Sequence, residues 1–422
     1  MNGLHLVADL YGCRGDARYL TDREALRQLC ISAVQNSGLT SLGDLFHQFE
    51  GESEDDAGGV TGAIVLAESH LAIHTWPELI SVTLDVYVCN YTKDNSAKAH
   101  GVLRDLMAAF DATDYVRHDV PRDRQHLYEH LNGDYGFFVR STKRLEEFHT
   151  GLQKLEVHET PQFGKLLRLD DCFQTSERDE FVYHENLIHP SLTAHASPRQ
   201  VLIIGGGDGG AVEEALKHPS VERVTLVELD GKVVEIARKH LGEIHRGAFE
   251  SPRLRLLIED GLKFLAETNE KFDVIALDLP DPVGPATALY EEAFFRDCKL
   301  ALASGGILTL HMGSPVSRPD RVREHFARLT RVFSVVRPYT MFIPLYGCLW
   351  SMATCSESLD PVAIDAVEID RRIARRGLTL LQYYNGSTHQ AVFALPNFVR
   401  DLTVGTRPAP TLVTKQRTAA GK

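Results

Sequence analysis

Four apolar runs between Gln200 and Leu310 each end in an acidic residue, and helical stretches separate them. Val201–Ile204 leads into Gly205-Gly206-Gly207-Asp208-Gly209-Gly210, and Val224–Val227 ends at Glu228. Leu254–Ile258 ends at Glu259-Asp260, and Val274–Leu277 ends at Asp278, with Asp281 just beyond. Strands that alternate with helices (Ala211–His218, Val233–Leu241, Leu262–Asn269) predict parallel pairing in one doubly wound sheet. Such sheets bind ligands outside the carboxyl ends of their strands. A crevice lined there by so many carboxylates calls for a cation, and few common metabolites are cationic at two ends.

The 422 residues exceed one small core and predict two domains, or three sub-domains. The net charge of −13, with no basic stripe, argues against nucleic acid and suits a cationic small molecule. Seven scattered cysteines without a CxxC pair fit a reducing compartment and give no zinc framework. Met1–Leu6 lacks the charge and apolar length of a signal peptide, and no apolar run reaches membrane-spanning length. A cytoplasmic enzyme without a membrane partner is expected.

Strand signals at Leu4–Leu10, Val60–Leu66 and Ile80–Cys89, with helix signals at Asp22–Gln35 and Ala97–Phe110, read as an α+β unit. The acidic, glycine-rich stretch Glu50–Gly59 reads as a solvated loop. Asp119–Asp134 is polar and charged, as at a domain boundary. Short runs at Phe137–Val139, Leu152–His158 and Lys165–Leu169 suggest a small antiparallel sheet. The expected organisation is an α+β domain over 1–120, a linker over 121–134 and a small β-domain over 135–182. A Rossmann-like domain over 183–405 and a disordered tail over 406–422 follow.

Gly205, Gly207 and Gly210 fit GxGxxG, and Glu228 stands where an acid holds ribose hydroxyls. Dinucleotide sites place pyrophosphate at that helix N-terminus, and Asp208 would repel it. A ligand ending in an ammonium or sulfonium explains Asp208 better; the bland alternative is a helix cap. Prolines and a glycine stiffen the loop after Asp278 and Asp281, a common place for catalytic side chains. An alkylamine, with a pKa near 10.4, arrives protonated and needs a positioned base before it can attack.

Gln174-Thr175-Ser176-Glu177-Arg178-Asp179-Glu180-Phe181-Val182-Tyr183-His184-Glu185, the glycine loop, Asp278-x-x-Asp281-Pro282-x-Gly284-Pro285-Ala286 and Ile343-Pro344-Leu345-Tyr346-Gly347 together resemble the polyamine aminopropyltransferases, typified by spermidine synthase. The likeness spans about residues 130 to 405. It implies that decarboxylated S-adenosylmethionine lies over Gly205 and Gly207, with Asp208 on its ammonium, Glu228 on its ribose and Asp260 on its adenine. Gln153 would join this donor set and Asp281 would anchor the donor amine. Asp278 with Tyr183 would prepare the acceptor amine, with Gln174, Tyr183, His184, Asp281 and Tyr346 around it. The implied acceptor is putrescine. Two departures fall on the acceptor side: Leu279-Pro280 replaces a pair of serines, and Tyr346-Gly347-Cys348 lacks the family's Pro-Ser pair.

The first half carries Ala67-Glu68-Ser69-His70-Leu71-Ala72-Ile73-His74-Thr75-Trp76-Pro77-Glu78. Read from the residues, Ser69 with His70 or His74 suggests a nucleophile and base. A metal pair of His70 and His74 is disfavoured, because a strand would put them over 10 Å apart at ~3.3 Å per residue. An edge strand with polar side chains is the bland reading. With Tyr11-Gly12-Cys13, Phe46-His47-Gln48-Phe49, Val60-Thr61-Gly62 and Cys89, the run resembles the short bacterial S-adenosylmethionine decarboxylases over about residues 3 to 120. That family cuts its own Glu-Ser bond and turns the serine into a covalent pyruvoyl group, an electron sink for decarboxylation. The resemblance implies scission between Glu68 and Ser69, with His74 and Thr61 assisting and Cys89 protonating the carbanion. Phe49 would stack on adenine and Glu78 would hold the ribose. It also implies a site built across a homodimer or higher homo-oligomer.

The fold class expected is therefore α+β followed by α/β: a pyruvoyl-decarboxylase sandwich, a small antiparallel sheet and a Rossmann-like parallel sheet. The combined function is decarboxylation of S-adenosylmethionine, then aminopropyl transfer, with no metal and no NAD. The rivals are a methyltransferase on the same sheet, a polyamine sensor with a degenerate site, and a transferase fused to an arginine or ornithine decarboxylase.

Overall fold

Alternation of buried and open positions shapes the first half. The computed structural model describes residues 3–51, 57–91, 93–122, 126–282 and 284–403. The acidic centre of the 50–59 loop, Val283 and the 406–422 tail lie outside the described residues. The chain divides into two units, Met1–His126 and Leu127–Lys422.

In the first unit β1 (Gly3–Cys13), β2 (Ser41–Glu50), β3 (Ala57–Leu66), β4 (Ser69–Trp76), β5 (Ser81–Cys89) and β6 (Ala112–Pro121) form one antiparallel sheet, ordered β2-β3-β4-β5-β1-β6. Leu4, Leu6, Ala8 and Leu10 of β1 and Val82, Leu84, Val86 and Val88 of β5 fill one face, which helices Arg23–Asn36 and Ser96–Phe110 cover. Asp22 starts the first of these by accepting from Glu24 N and Ala25 N at 2.9 and 3.0 Å. The intervening residues, among them Phe49, Val65, Trp76 and Tyr11, leave the opposite face half open. The edge-strand reading of 69–76 is corrected: β4 sits inside the sheet between β3 and β5, and its polar residues alternate onto the open face.

The second unit opens with a two-stranded sheet of β7 (His126–His130) and β8 (Gly136–Arg140); β7 occupies part of the stretch expected to be linker. A four-stranded antiparallel sheet of β9 (Lys143–His149), β10 (Lys154–Thr160), β11 (Gly164–Leu169) and β12 (Cys172–Ser176) follows. The large sheet contains β13 (Gln200–Gly205), β14 (Arg223–Glu228), β15 (Leu254–Ile258), β16 (Phe272–Asp278), β17 (Leu302–Gly313), β18 (Val335–Ile343) and β19 (Cys348–Ser356). Its order is β15-β14-β13-β16-β17-β19-β18. The four acid-ended strands pair in parallel as expected, β17 continues them, and β19 runs antiparallel to both its neighbours. Val201 and Ile203 enter one core and Leu202 and Ile204 the other, which is why the strand reads as a continuous apolar run. Helix Glu180–Ala194 is buried along almost its whole length and delivers Tyr183 and His184 to the carboxyl end of the sheet.

Candidate active sites

Strand order reverses between β13 and β16, so the crevice of the large sheet opens there. Register pairs Gly205 with Asp278. Gly205 and Gly206 take φ of +79° and +71°, and a Cβ on Gly206 would meet Asp278 Oδ2 at 2.6 Å. Only glycine lets the loop pass so close beneath that carboxylate. A Cβ on Gly210 would overlap the ring of His184. The last glycine of the motif thus seats a histidine, a reason independent of any nucleotide.

His184 is buried, and its Nδ1 bonds Glu180 Oε2 at 2.8 Å. Its Nε2 faces Asp208 Oδ2 at 3.6 Å and Asp278 Oδ2 at 3.9 Å. Burial disfavours the charged ring, but Asp208 and Glu180 outweigh it and hold His184 well above the usual histidine pKa. Asp208 also accepts Gly210 N at 2.9 Å, so it does serve the helix start as well as facing the cleft. Burial opposes its ionisation; His184 and the backbone overcome that and keep its pKa below the ordinary carboxylate value. Asp278 goes the other way: burial, eased by His184 and reinforced by Asp208, lifts it to about 6. Its Oδ2 is buried without a hydrogen-bond partner. Tyr183 adjoins it, and burial together with the Asp278 charge holds the phenol well above its usual value. One carboxylate stays ionised and its neighbour is poised to take a proton.

At the end of β14, Glu228 accepts Gly207 N at 3.1 Å and Asp230 N at 2.8 Å. Burial, with Asp230 and Asp278 nearby, lifts it to about 7. Gln153 reaches the same corner by donating to Asp230 Oδ2 at 2.9 Å. Asp260 stands exposed past β15 and caps Leu262 N at 2.9 Å. Across the crevice, the Tyr346 hydroxyl donates to the Gln174 carbonyl at 2.8 Å, and its ring lies 6.1 Å from that of Tyr183. A cavity of about 10 Å³ lies among Gln174, Tyr183, His184 and Tyr346. Asp281 is engaged by Arg321 Nη1 at 2.5 Å, so a donor amine there would share it with a guanidinium.

In the first unit Thr61 pairs with His74 across β3 and β4, and Thr61 Oγ1 lies 2.7 Å from His74 Nδ1. Cys89 N donates to Glu68 O at 2.8 Å, which puts Cys89 beside the Glu68–Ser69 bond. Glu68 itself accepts Thr40 N at 3.1 Å. The structure does not bring Ser69 to His74: five residue steps along extended β4 separate them by about 16 Å at ~3.3 Å per step. Phe49 is half exposed, and Glu78 lies exposed in the short helix Pro77–Leu79. Two groups among the described residues place three possible metal-ligand atoms within 4.8 Å: His5, His70 and Asp85, and His184, Asp208 and Asp278. At the second, a protonated His184 has no lone pair left for a metal.

The family model of the spermine/spermidine synthase domain matches residues 180–371, and that of S-adenosylmethionine decarboxylase matches residues 4–123. A polyamine aminopropyltransferase of Nitrosomonas europaea is 48% identical over 274 residues, 65% of this chain and 84% of that protein. This chain belongs to the polyamine aminopropyltransferases. Polyamine aminopropyltransferase 1 of Pseudomonas aeruginosa is 39% identical over 274 residues, covering 64% of this chain and 95% of that protein. The crystal structure of spermidine synthase in complex with the transition-state analogue AdoDATO matches with a TM-score of 0.63 at 35% identity, over 68% of this chain and 97% of that one. Spermidine synthase from Thermotoga maritima matches at 0.62 and 34% identity, over 68% and 96%. This aminopropyltransferase carries an S-adenosylmethionine decarboxylase domain ahead of its transferase domain. The fusion anticipated from the motifs is therefore present. No helix among the described residues is long and apolar enough to cross a membrane.

Sequence reasoning overlooked several residues of the transferase crevice. Glu180 and Asp230 contact residues that it did single out. Glu129 on β7 accepts Phe173 N at 2.5 Å, and burial with the charge of Asp281 lifts it to about 7. His311 on β17 holds the Asp278–Asp281 loop, its Nε2 2.8 Å from Leu279 O and 2.6 Å from the Tyr290 hydroxyl. The Leu279 departure has a physical account: its side chain is buried in the core shared with Ile204 and Leu277, so it is a packing residue.

Proposed function

We propose that this protein makes spermidine in two steps: pyruvoyl-dependent decarboxylation of S-adenosylmethionine after self-cleavage at Ser69, then transfer of the aminopropyl group to putrescine. One observation carries the transferase reading: ionised Asp208 and basic Asp278, with its unsatisfied Oδ2, lie side by side at the switch point of the sheet. Asp208 pairs with the donor ammonium. Asp278, oriented with Tyr183, takes a proton from the acceptor ammonium, and the freed amine attacks the carbon beside the sulfonium. A C–N bond forms as the C–S bond breaks, the electron pair returns to sulfur, and neutral methylthioadenosine leaves. Glu228, with Gln153 beside it, holds the ribose, and Asp260 lies where adenine would end.

The decarboxylase residues fit a pyruvoyl group made from Ser69, which opens β4 beside Cys89. The group supplies an electron sink for the carbanion, and Cys89, whose N–H meets the Glu68 carbonyl, would return the proton. The Thr61–His74 pair, too far along the strand to reach Ser69 of its own chain, would assist scission from a second copy of the chain, while Phe49 and Glu78 border the open face. Purified protein given S-adenosylmethionine and a mixture of putrescine, arginine and ornithine should release carbon dioxide from the nucleoside alone, and form spermidine with methylthioadenosine. Methylated amine would favour the methyltransferase reading, and carbon dioxide from arginine or ornithine the fused amino-acid decarboxylase.

The open sheet face also supports a homodimer or larger homo-oligomer, since it leaves Phe49, His74 and Trp76 accessible on a half-apolar surface. Light scattering at micromolar concentration is expected to give at least twice the 47.0 kDa of one chain. A mass of one chain would count against it.

A further inference from the structure

We propose that His5, His70 and Asp85 form a binding site for a divalent transition ion of the zinc class on the open face of the first unit, and that this ion ties together the two pieces left by scission at Ser69. The tie rests on the scission reading above; the site itself does not. Strand register brings the three side chains together. His5 on β1 and His70 on β4 are both cross-strand partners of Tyr87, from opposite sides of β5. Asp85 stands two residues before Tyr87 on the same face of β5. Each ligand alternates with buried apolar neighbours (Leu4 and Leu6, Leu71, Leu84 and Val86), so all three lie on the open face.

His5 Nε2 lies 3.4 Å from Asp85 Oδ2, and His70 Nε2 lies 3.3 Å from Asp85 Oδ1. The Tyr87 ring packs 5.7 Å from each imidazole and fixes where they stand. His5 Nε2 and Asp85 Oδ1 are buried yet make no hydrogen bond among the described residues. Unpaired polar atoms cost the fold, and a shared cation offsets that cost. Zinc takes imidazole nitrogen and carboxylate oxygen at about 2.0–2.2 Å, which makes the edge of its ligand tetrahedron about 3.3 Å. Both separations match that edge. Two imidazoles disfavour magnesium and calcium, which take oxygen ligands. Three protein ligands leave a fourth position for water or for a group from a second copy across the open face.

Scission divides the ligands. His5 falls in the piece Met1–Glu68, while His70 and Asp85 fall in Ser69–Lys422. His70 is then the second residue of the larger piece, at the end of β4 that has lost its covalent anchor. An ion held by both pieces fastens that end to β5 and β1.

The test uses the full chain, stripped with a chelator and titrated with zinc chloride in a calorimeter. The parent should take up about one ion per chain at this site, and Asp85→Asn and His5→Gln should each weaken that uptake at least about 100-fold. Either variant suffices if the other does not fold. Cobalt(II) in place of zinc should give the strong visible absorption of a four-coordinate ion, absent from both variants. At about 100 times its Kd, zinc should raise the melting temperature of the parent by several degrees and leave the variants unmoved. The uncut Ser69→Ala chain should take up zinc as the parent does, because that change removes no ligand. In the cut parent, zinc should slow separation of the two pieces in mild urea, read by size exclusion. No uptake by the parent, or uptake unchanged in both variants, overturns the site. Pieces that part equally fast with and without bound zinc overturn the tie. A parent that is never cut would instead refute the scission reading, and the calorimetry of the variants still decides the site.

Discussion

Asp278→Asn is expected to lower kcat for aminopropyl transfer by about 10²–10⁴-fold, the range that a positioned general base supplies. The corresponding barrier is about 3–5 kcal/mol. The carboxylate has the three features the step needs. It ends β16 at the switch point, it lies beside Tyr183, and its buried Oδ2 makes no hydrogen bond among the described residues. Because its pKa lies at about 6, kcat/KM of the unmodified enzyme should rise with pH through that value. The variant should lack this limb. Folding should not suffer. A carboxyl whose folded pKa is raised from 3.8 to about 6 costs the folded state stability as pH climbs between those values. An amide does not ionise, so at pH 8 the variant should melt no lower than the parent. Loss of activity together with loss of melting temperature would instead indicate a structural part for Asp278. Retained activity would remove it from the mechanism.

Ligand-side chemistry was legible in the sequence because each acid of the crevice ends an apolar run, and the parallel arrangement follows from the helices between them. What could not be read is the convergence of distant segments. Glu180 and His184 sit on a helix buried nearly all round, so no amphipathic stripe marks its inward face. Glu129 lies in a charged passage that composition assigns to a boundary, and only the folded chain carries it toward Asp281. Asp230 looks like an ordinary helix cap, which it is; its second oxygen happens to hold Gln153. β2 escaped detection because it is an edge strand with one buried side chain, so its apolar residues fall on both faces. β4 was ambiguous for the opposite reason: its polar residues alternate correctly, but onto a face that the unit itself leaves open. The motif glycines also answer local demands: Gly205 passes Asp278, Gly207 passes Val233 and Glu228, and Gly210 seats the ring of His184.

Ser69→Ala is expected to leave a single uncut chain of 422 residues, where the parent yields fragments of 68 and 354 residues. Scission at Glu68–Ser69 needs the serine hydroxyl as nucleophile on the preceding carbonyl, and alanine offers none. Carbon dioxide release from S-adenosylmethionine should fall to background, because no carbonyl remains to accept the electrons of decarboxylation. Aminopropyl transfer from supplied decarboxylated donor should stay within about two-fold of the parent, since Asp208, Asp278 and Tyr183 all belong to the other unit. Stability should change little, within about 0.5 kcal/mol, because Ser69 is partly exposed where β4 begins. Thr61→Val sharpens the assignment: without the hydroxyl that meets His74 Nδ1 at 2.7 Å, scission should slow while remaining complete given time. Intact mass read over hours separates these outcomes. If the parent itself remains one uncut chain yet still decarboxylates S-adenosylmethionine, the electron sink is not made from Ser69. If it remains uncut and inactive in that step while transferring normally, the first unit is a sensor or a relic attached to a working transferase.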